Sequence, residues 1–193
     1  MFKVFVLGYN KTGTKSLAEA LRILGYDVLH TRGGDSSQGS LDKIYENLKN
    51  NHSVLRGLEK YDCYLDYPIF EPIVFSHIVD EYPDAKYISL TRSLDGYVKS
   101  VLRDKIKRLE GGAVDSWNWL GVGDKEVFEN YPEYQKEWVK GKTKFKHQSN
   151  LRWLEKKGIG YLDLNICDDG DSWEKLCSFL DRLIPNEDFP HEQ

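Results

Sequence analysis

A three-layer α/β fold, with a mostly parallel sheet and helices on both faces, is predicted by two patterns in the chain. Apolar, β-rich runs alternate with segments of helical periodicity along its length, the mark of strand–helix–strand units. The first run, Phe2–Leu7, is almost continuously apolar, as a strand covered on both faces must be. The 193 residues, 40% of them hydrophobic, suit one compact domain with a sizeable core. No repeat, low-complexity tract or linker divides it, so 1–193 reads as a single domain.

After the Phe2–Leu7 strand, Leu17, Leu21 and Leu24 fall at i, i+4 and i+7, which puts them on one face of a helix over Thr14–Leu24. Tyr26–His30 reads as a second strand and polar Thr31–Gly39 as a loop. Ser40 is placed to cap a helix running to about Asn50. Tyr61–Tyr67, ended by Pro68, is a third strand, and Phe70–Glu81 a helix. Ala85–Thr91 is the strongest later strand and feeds a helix over Leu94–Leu109. Glycine- and tryptophan-rich Gly111–Gly123, within residues 111–130, reads as an irregular insertion. Tyr131–Lys157 is helical, Ile159–Asn165 a strand, and Ser172–Leu180 a final helix. Asp171 with Glu174 three residues on gives that helix an aspartate version of the capping box.

Lys and Arg number 27 against 31 Asp and Glu, a net charge of −4. A nucleic-acid binder carries a broad basic field, so any anion here must be met by local cations. Cys63, Cys167 and Cys177 are odd in number, widely spaced and without a CxxC pair, which points to a reduced intracellular protein without a zinc site. The uninterrupted apolar run after Lys3 is only Val4–Leu7, too short for a signal peptide. No stretch is apolar enough to span a bilayer. A soluble, cytoplasmic protein with no membrane partner is expected.

The segment Gly8-Tyr9-Asn10-Lys11-Thr12-Gly13-Thr14-Lys15-Ser16 carries the chemistry. With 16 glycines, GxxxxG alone says little, and Gly34–Gly39 matches it too. Only Gly8–Gly13 leaves an apolar strand, enters a helix and gathers Lys11, Thr12, Thr14 and Ser16 around its second glycine. Such a turn aims backbone N–H groups and a helix N-terminus at an anion, typically phosphate; the plainer alternative is an ordinary turn with Thr14 as helix cap. A nucleotide-kinase loop would place Lys directly after the second glycine. Thr14 stands there, and Lys15 comes one residue late. One residue is about 100° of helical rotation, which turns Lys15 away and leaves Lys11 as the better-placed cation.

Lys11-Thr12-Gly13-Thr14 resembles the first signature of the sulfotransferases that use 3′-phosphoadenosine 5′-phosphosulfate (PAPS), a Lys or Arg followed by Ser/Thr-Gly-Thr that wraps the 5′-phosphosulfate. Lys15-Ser16 departs mildly from that family's commonest continuation. The second signature, a strand ending in Arg with Ser eight residues on, is met by Arg92 and Ser100 after Lys86–Thr91. An Arg fork suits a phosphate dianion and a helical Ser adds one donor; alternatively Arg92 pairs with Asp95 and Ser100 faces solvent. The C-terminal stretch Asp171–Leu180, with Ile184-Pro185 and Phe189-Pro190-His191, resembles the terminus of a small, diverse branch of these enzymes.

The resemblance implies a P-loop-type sulfotransferase fold and a PAPS co-substrate released as the bisphosphate PAP. It assigns Lys11, Thr12, Gly13, Thr14, Lys15, Ser16, Arg92 and Ser100 to donor binding, with Lys11 also catalytic and no metal required. It also implies a general base for the acceptor proton. Asp66, in Tyr64-Leu65-Asp66-Tyr67-Pro68, stands where cytosolic relatives have a histidine. Capping of the next helix is the alternative role for Asp66; Glu71 and His30 remain candidate bases. The Arg-Lys-Gly donor motif of the cytosolic enzymes is missing, and Lys142, Lys144 and Lys146 either replace it or form a solvated face. Asp168-Asp169-Gly170-Asp171 lacks the spacing of an EF-hand loop. Trp117, Trp119 and Trp138 either line an acceptor pocket or pack. The acceptor is expected to be a hydroxyl or amine of a small molecule or glycan. An ATP-dependent small-molecule kinase and a non-catalytic nucleotide-binding protein are the rival readings.

Overall fold

The computed structural model describes residues 2–9, 11–30, 38–110 and 132–191. Its order is β1 (Val4–Gly8), α1 (Thr14–Ile23), β2 (Val28–His30), α2 (Gln38–Lys49), β3 (Cys63–Leu65), α3 (Pro72–Glu81), β4 (Lys86–Leu90), α4 (Leu94–Glu110), α5 (Pro132–Lys157), β5 (Leu162–Leu164) and α6 (Trp173–Leu180). The chain forms two compact units, one of Met1–Thr91 with Lys146–Gln193, the other of Arg92–Phe145. The expected insertion at 111–130, with Trp117 and Trp119, lies outside the described residues, as does most of the expected Thr31–Gly39 loop.

The first unit holds a five-stranded sheet in the order β2-β3-β1-β4-β5, every pair parallel. The expected α/β sheet with covered faces is therefore present. Alternation along β1 sorts its side chains: Val4 and Val6 join Leu17 and Leu21 of α1 with Trp173 and Leu176 of α6 on one face. Phe5 and Leu7 join Ile44 of α2, Phe75 and Ile78 of α3 and Leu154 of α5 on the other. All five β1 residues are buried, which explains why no polar residue interrupts Val4–Leu7. Parallel strands need long crossovers, and helices supply them here.

β1 is central, with β3 on one side and β4 on the other. The crossover from β1 goes to β2 at one edge, and the crossover from β3 passes over β1 to β4. That reversal opens a crevice at the carboxyl ends of the strands, where open α/β sheets bind ligands.

Several boundaries differ from the sequence expectation for physical reasons. β3 is only Cys63–Leu65, and it ends there because Asp66 turns left-handed, φ +70°, directly after Leu65. Ser40 does not cap α2, since the helix already begins at Gln38 and encloses it. Asp171 does not cap α6 either; the N-cap position is Ser172, which makes no side-chain capping bond. The Asp171 carboxylate is taken by other donors, the Asn165 N–H at 2.8 Å and Lys175 Nζ at 2.7 Å.

In the second unit, Ser93 accepts a hydrogen bond from the Gly96 N–H at 3.2 Å, so this serine caps α4. Tyr97, Val98 and Val101 on α4 are buried. α5 begins in this unit and ends in the first.

Candidate active site

The loop after β1 is built by close approach and by left-handed turns. A Cβ added to Gly8 would come within 3.1 Å of Leu90 and of Thr14, so only glycine lets β1 lie this near to both. Thr12 donates through its backbone N–H (3.2 Å) and its hydroxyl (2.5 Å) to the Tyr9 carbonyl. That short turn holds Lys11 at φ +73°. Gly13 follows at φ +96° as the N-cap of α1. Being glycine, it brings no side-chain oxygen to the first N–H groups of the helix, and no acidic residue stands in the first turn. Helix N–H groups that Gly13 does not cap with a side chain and a positive dipole end, with a lysine in the approach loop, make a donor set for an anion.

Side-chain placement follows the helical rotation. Thr12, Thr14 and Ser16 are buried, Lys11 is half-buried and Lys15 is exposed. Lys15 thus sits on the outer side of α1, as its register predicts, and Thr14 lies inside the helix rather than capping it.

Asp66 and His30 come together at the ends of β3 and β2. His30 is the register partner of Leu65, and Asp66 follows at once. His30 Nε2 lies 3.5 Å from Asp66 Oδ2, both side chains being almost fully buried. Asp66 Oδ1 accepts the Tyr67 N–H at 2.7 Å. The carboxylate is therefore engaged beside its own strand end, whereas α3 begins at Pro72 with Glu71 as its N-cap. Capping α3 is not what Asp66 does. Glu71, the reserve base, binds Lys146 Nζ at 2.5 Å.

Arg92 follows β4 and Thr91. Arg92 and Ser100 both belong to the second unit and both are half-buried, with Ser100 in the second turn of α4.

The model of the sulfotransferase domain family matches residues 3–193. The chain belongs to the sulfotransferase domain family. It is also similar to "Ava biosynthesis cluster protein M" of Aspergillus versicolor, 26% identical over 212 residues, covering 98% of this chain and 80% of that protein.

The loop of this sulfotransferase-family chain rests on a residue that no motif singled out. Cys167 Sγ would lie 3.3 Å from a Cβ at Gly13, so the segment after β5 closes the underside of the loop. A second unforeseen cluster joins His147 of α5 to Ser89 of β4 and, through Asp163 of β5, to Thr91. Burial holds His147 below the ordinary histidine range, against an upward pull from Asp163. No spacing rule could pair these residues, because Ser89 is 58 positions from His147 and 74 from Asp163.

Of the basic run, Lys144 is exposed and Lys146 is the partner of Glu71. A cavity of about 420 Å³ lined by His52, His77 and Glu81 lies where α2 and α3 end, beside the start of β4 and not at the strand carboxyl ends. The Ser53 hydroxyl and the Val54 N–H occupy the Glu81 carboxylate there, so its polar group serves packing. Among the described residues no three His, Cys, Asp or Glu side chains are grouped as metal ligands would be. Among them, too, no helix is long and apolar enough to cross a membrane.

Proposed function

We propose that this sulfotransferase-family protein moves a sulfuryl group from PAPS to a hydroxyl or amine of an acceptor. The observation that carries this reading is the Gly8–Gly13 loop, with left-handed Lys11 beside a helix N-terminus that has neither a capping side chain nor an acid in its first turn. That donor set fits a phosphosulfate. Lys11 and the N–H groups of Thr14, Lys15 and Ser16 would face the 5′-phosphosulfate, with the buried Thr12 hydroxyl bracing the loop. Arg92 and Ser100 would hold the 3′-phosphate, to which a guanidinium fork is suited.

PAPS supplies an activated sulfuryl group when bound. The acceptor oxygen or nitrogen forms the new bond to sulfur as the bond from sulfur to the 5′-phosphate oxygen breaks in line, releasing PAP. Asp66 takes the acceptor proton, with the buried His30 imidazole 3.5 Å from its carboxylate. Lys11 and the loop N–H groups stabilise the charge that grows on the departing oxygen, a preorganised electrostatic contribution. These cations do the work that a metal does in kinases. We take the acceptor to be a small molecule or a glycan. The acidic balance of −4 disfavours a nucleic-acid partner, and we place the enzyme in the cytoplasm.

Lys11→Ala should lower kcat by about 10²–10³ at saturating donor, as loss of one transition-state donor does elsewhere. Asp66→Asn keeps the shape and the acceptor for the Tyr67 N–H; it should lose about 10²–10⁴ in kcat while bisphosphate affinity holds. Full transfer by Lys11→Ala would overturn the assignment. A thermal shift larger with Mg·ATP than with PAP would favour a kinase instead.

A further inference from the structure

The polar cluster between β4, β5 and α5 has a placement that packing alone does not require. Ser89 is 1% exposed and lies directly opposite Asp163 in the β4–β5 register. His147 Nε2 is 3.2 Å from Ser89 Oγ, Ser89 Oγ is a long 3.5 Å from Asp163 Oδ1, and Thr91 Oγ1 donates to the same Oδ1 at 3.0 Å. The Thr91 N–H donates to the Leu164 carbonyl at 2.8 Å. Ser89 is the buried member of this line, His147 and Thr91 are half-buried and Asp163 is exposed; a buried hydroxyl costs stability unless paired, and an apolar residue in place of Ser89 would hold the two strands together as well.

What the cluster holds is the residue before Arg92. Thr91 is gripped through both its backbone and its hydroxyl, and the carboxylate that grips the hydroxyl is in line with Ser89 and His147. Burial keeps the imidazole uncharged at neutral pH, so it has one N–H to give. Donated from Nε2 to Ser89, that proton leaves the serine hydroxyl to donate to Asp163, and every group in the line then has a role. His147 is also the second residue after the chain re-enters this unit, as Thr91 is the last before it leaves.

We infer that Asp163 and His147 are positioning residues for the 3′-phosphate of the donor, acting through Ser89 and Thr91 on the backbone that carries Arg92. This rests on the assignment of Arg92 to that phosphate. The ligand class is a nucleotide with a phosphate on its 3′-hydroxyl, and a nucleotide without one should not sense the cluster.

The test is calorimetry on the full chain with two probes, adenosine 3′,5′-bisphosphate and adenosine 5′-monophosphate. Asp163→Ala and His147→Ala should each weaken the bisphosphate by roughly fivefold or more and leave the monophosphate within about twofold, as for residues that share a network with the binding group. His147→Gln, which can still donate to Ser89, should restore most of the loss. In an Arg92→Ala background, Asp163→Ala should have no further effect. Charge alone predicts the opposite sign, because removing a carboxylate near an anion tightens binding.

Equal weakening of both probes would mean a merely structural role and overturn the proposal. So would a bisphosphate loss in Asp163→Ala that persists undiminished without Arg92. Should Asp163→Ala fail to fold, His147→Ala and Thr91→Val, which loses the hydroxyl that Asp163 accepts from, carry the same comparison. If Arg92→Ala leaves the ratio of the two affinities unchanged, the 3′-phosphate assignment itself falls. A changed ratio in Arg92→Ala with none in Asp163→Ala and His147→Ala removes only the positioning role.

Discussion

Lys11 and Asp66 adopt the left-handed region at φ +73° and +70°, which costs an L-residue about 1–2 kcal/mol. Asn51 and Asp181 are left-handed too, but they follow α2 and α6, where short polar side chains do this routinely. A lysine in that region persists only where its surroundings dictate it, and here the Thr12–Tyr9 turn does. Lys11→Gly removes the strain and adds back the greater freedom of glycine in the unfolded chain. It should leave stability unchanged or raise it by up to about 1 kcal/mol while lowering transfer at least as much as Lys11→Ala does. Gly13→Ala should do the reverse, losing about 1–2 kcal/mol from its φ of +96° alone. The contact of that new methyl with Cys167 Sγ adds to the loss, and Cys167→Ala in the same chain should recover only this second part. Urea unfolding of the three variants decides it; a Gly13→Ala protein as stable as wild type would contradict the geometry.

Elements were more legible than their ends, and α6 shows why. Its apolar face (Trp173, Leu176, Cys177 and Leu180, all buried) declares a helix from local periodicity. The cap depends on which donors reach the Asp171 carboxylate, and one of them, Asn165, belongs to the segment after β5. Likewise, Gly8–Gly13 was readable because strand, turn and helix are contiguous, whereas His147, Ser89 and Asp163 meet only after the sheet has formed. The sequence marks Asp66 as a candidate base but does not show it as the left-handed residue after which β3 ends. The Asp171 bonds carry an expectation of their own. Burial alone would raise this carboxyl, but the Asn165 N–H and Lys175 hold it below its ordinary value of 3.8. Its folded pKa being the lower one, the stabilisation is complete above the unfolded value and fades as pH falls through the folded one. Asp171→Ala should cost about 1–2 kcal/mol at pH 7, the loss of a pair of hydrogen bonds to one carboxylate. The gap from wild type in urea midpoints should narrow below about pH 4. A gap that widened in acid would mean the carboxyl is not ionised in these bonds.

At the scale of the molecule, a net charge of −4 and the proposed anionic donor would set up two opposed electrostatic effects. The diffuse acidic surface repels the nucleotide over distances comparable to the Debye length, about 10 Å at 0.1 M salt. In the proposed site, Lys11, Arg92 and the α1 N-terminus would attract it at contact, where Coulomb energies are several times larger and less screened. The contact effect should win. Bisphosphate at a hundredfold excess over its Kd should then stabilise the fold by about 2.7 kcal/mol. For a chain of this size that raises Tm by roughly 5–10 °C. Lys11→Ala and Arg92→Ala should each shrink that shift at the same ligand concentration, with no change in the unliganded Tm beyond about 2 °C, since neither is a core residue. Added salt should weaken binding, but only shallowly, because screening relieves the diffuse repulsion while it loosens the contacts. A polyanion binder would show the steep dependence of many released counterions. Affinity that instead rises steadily with salt would mean the nucleotide lies against the acidic surface, away from Lys11 and Arg92.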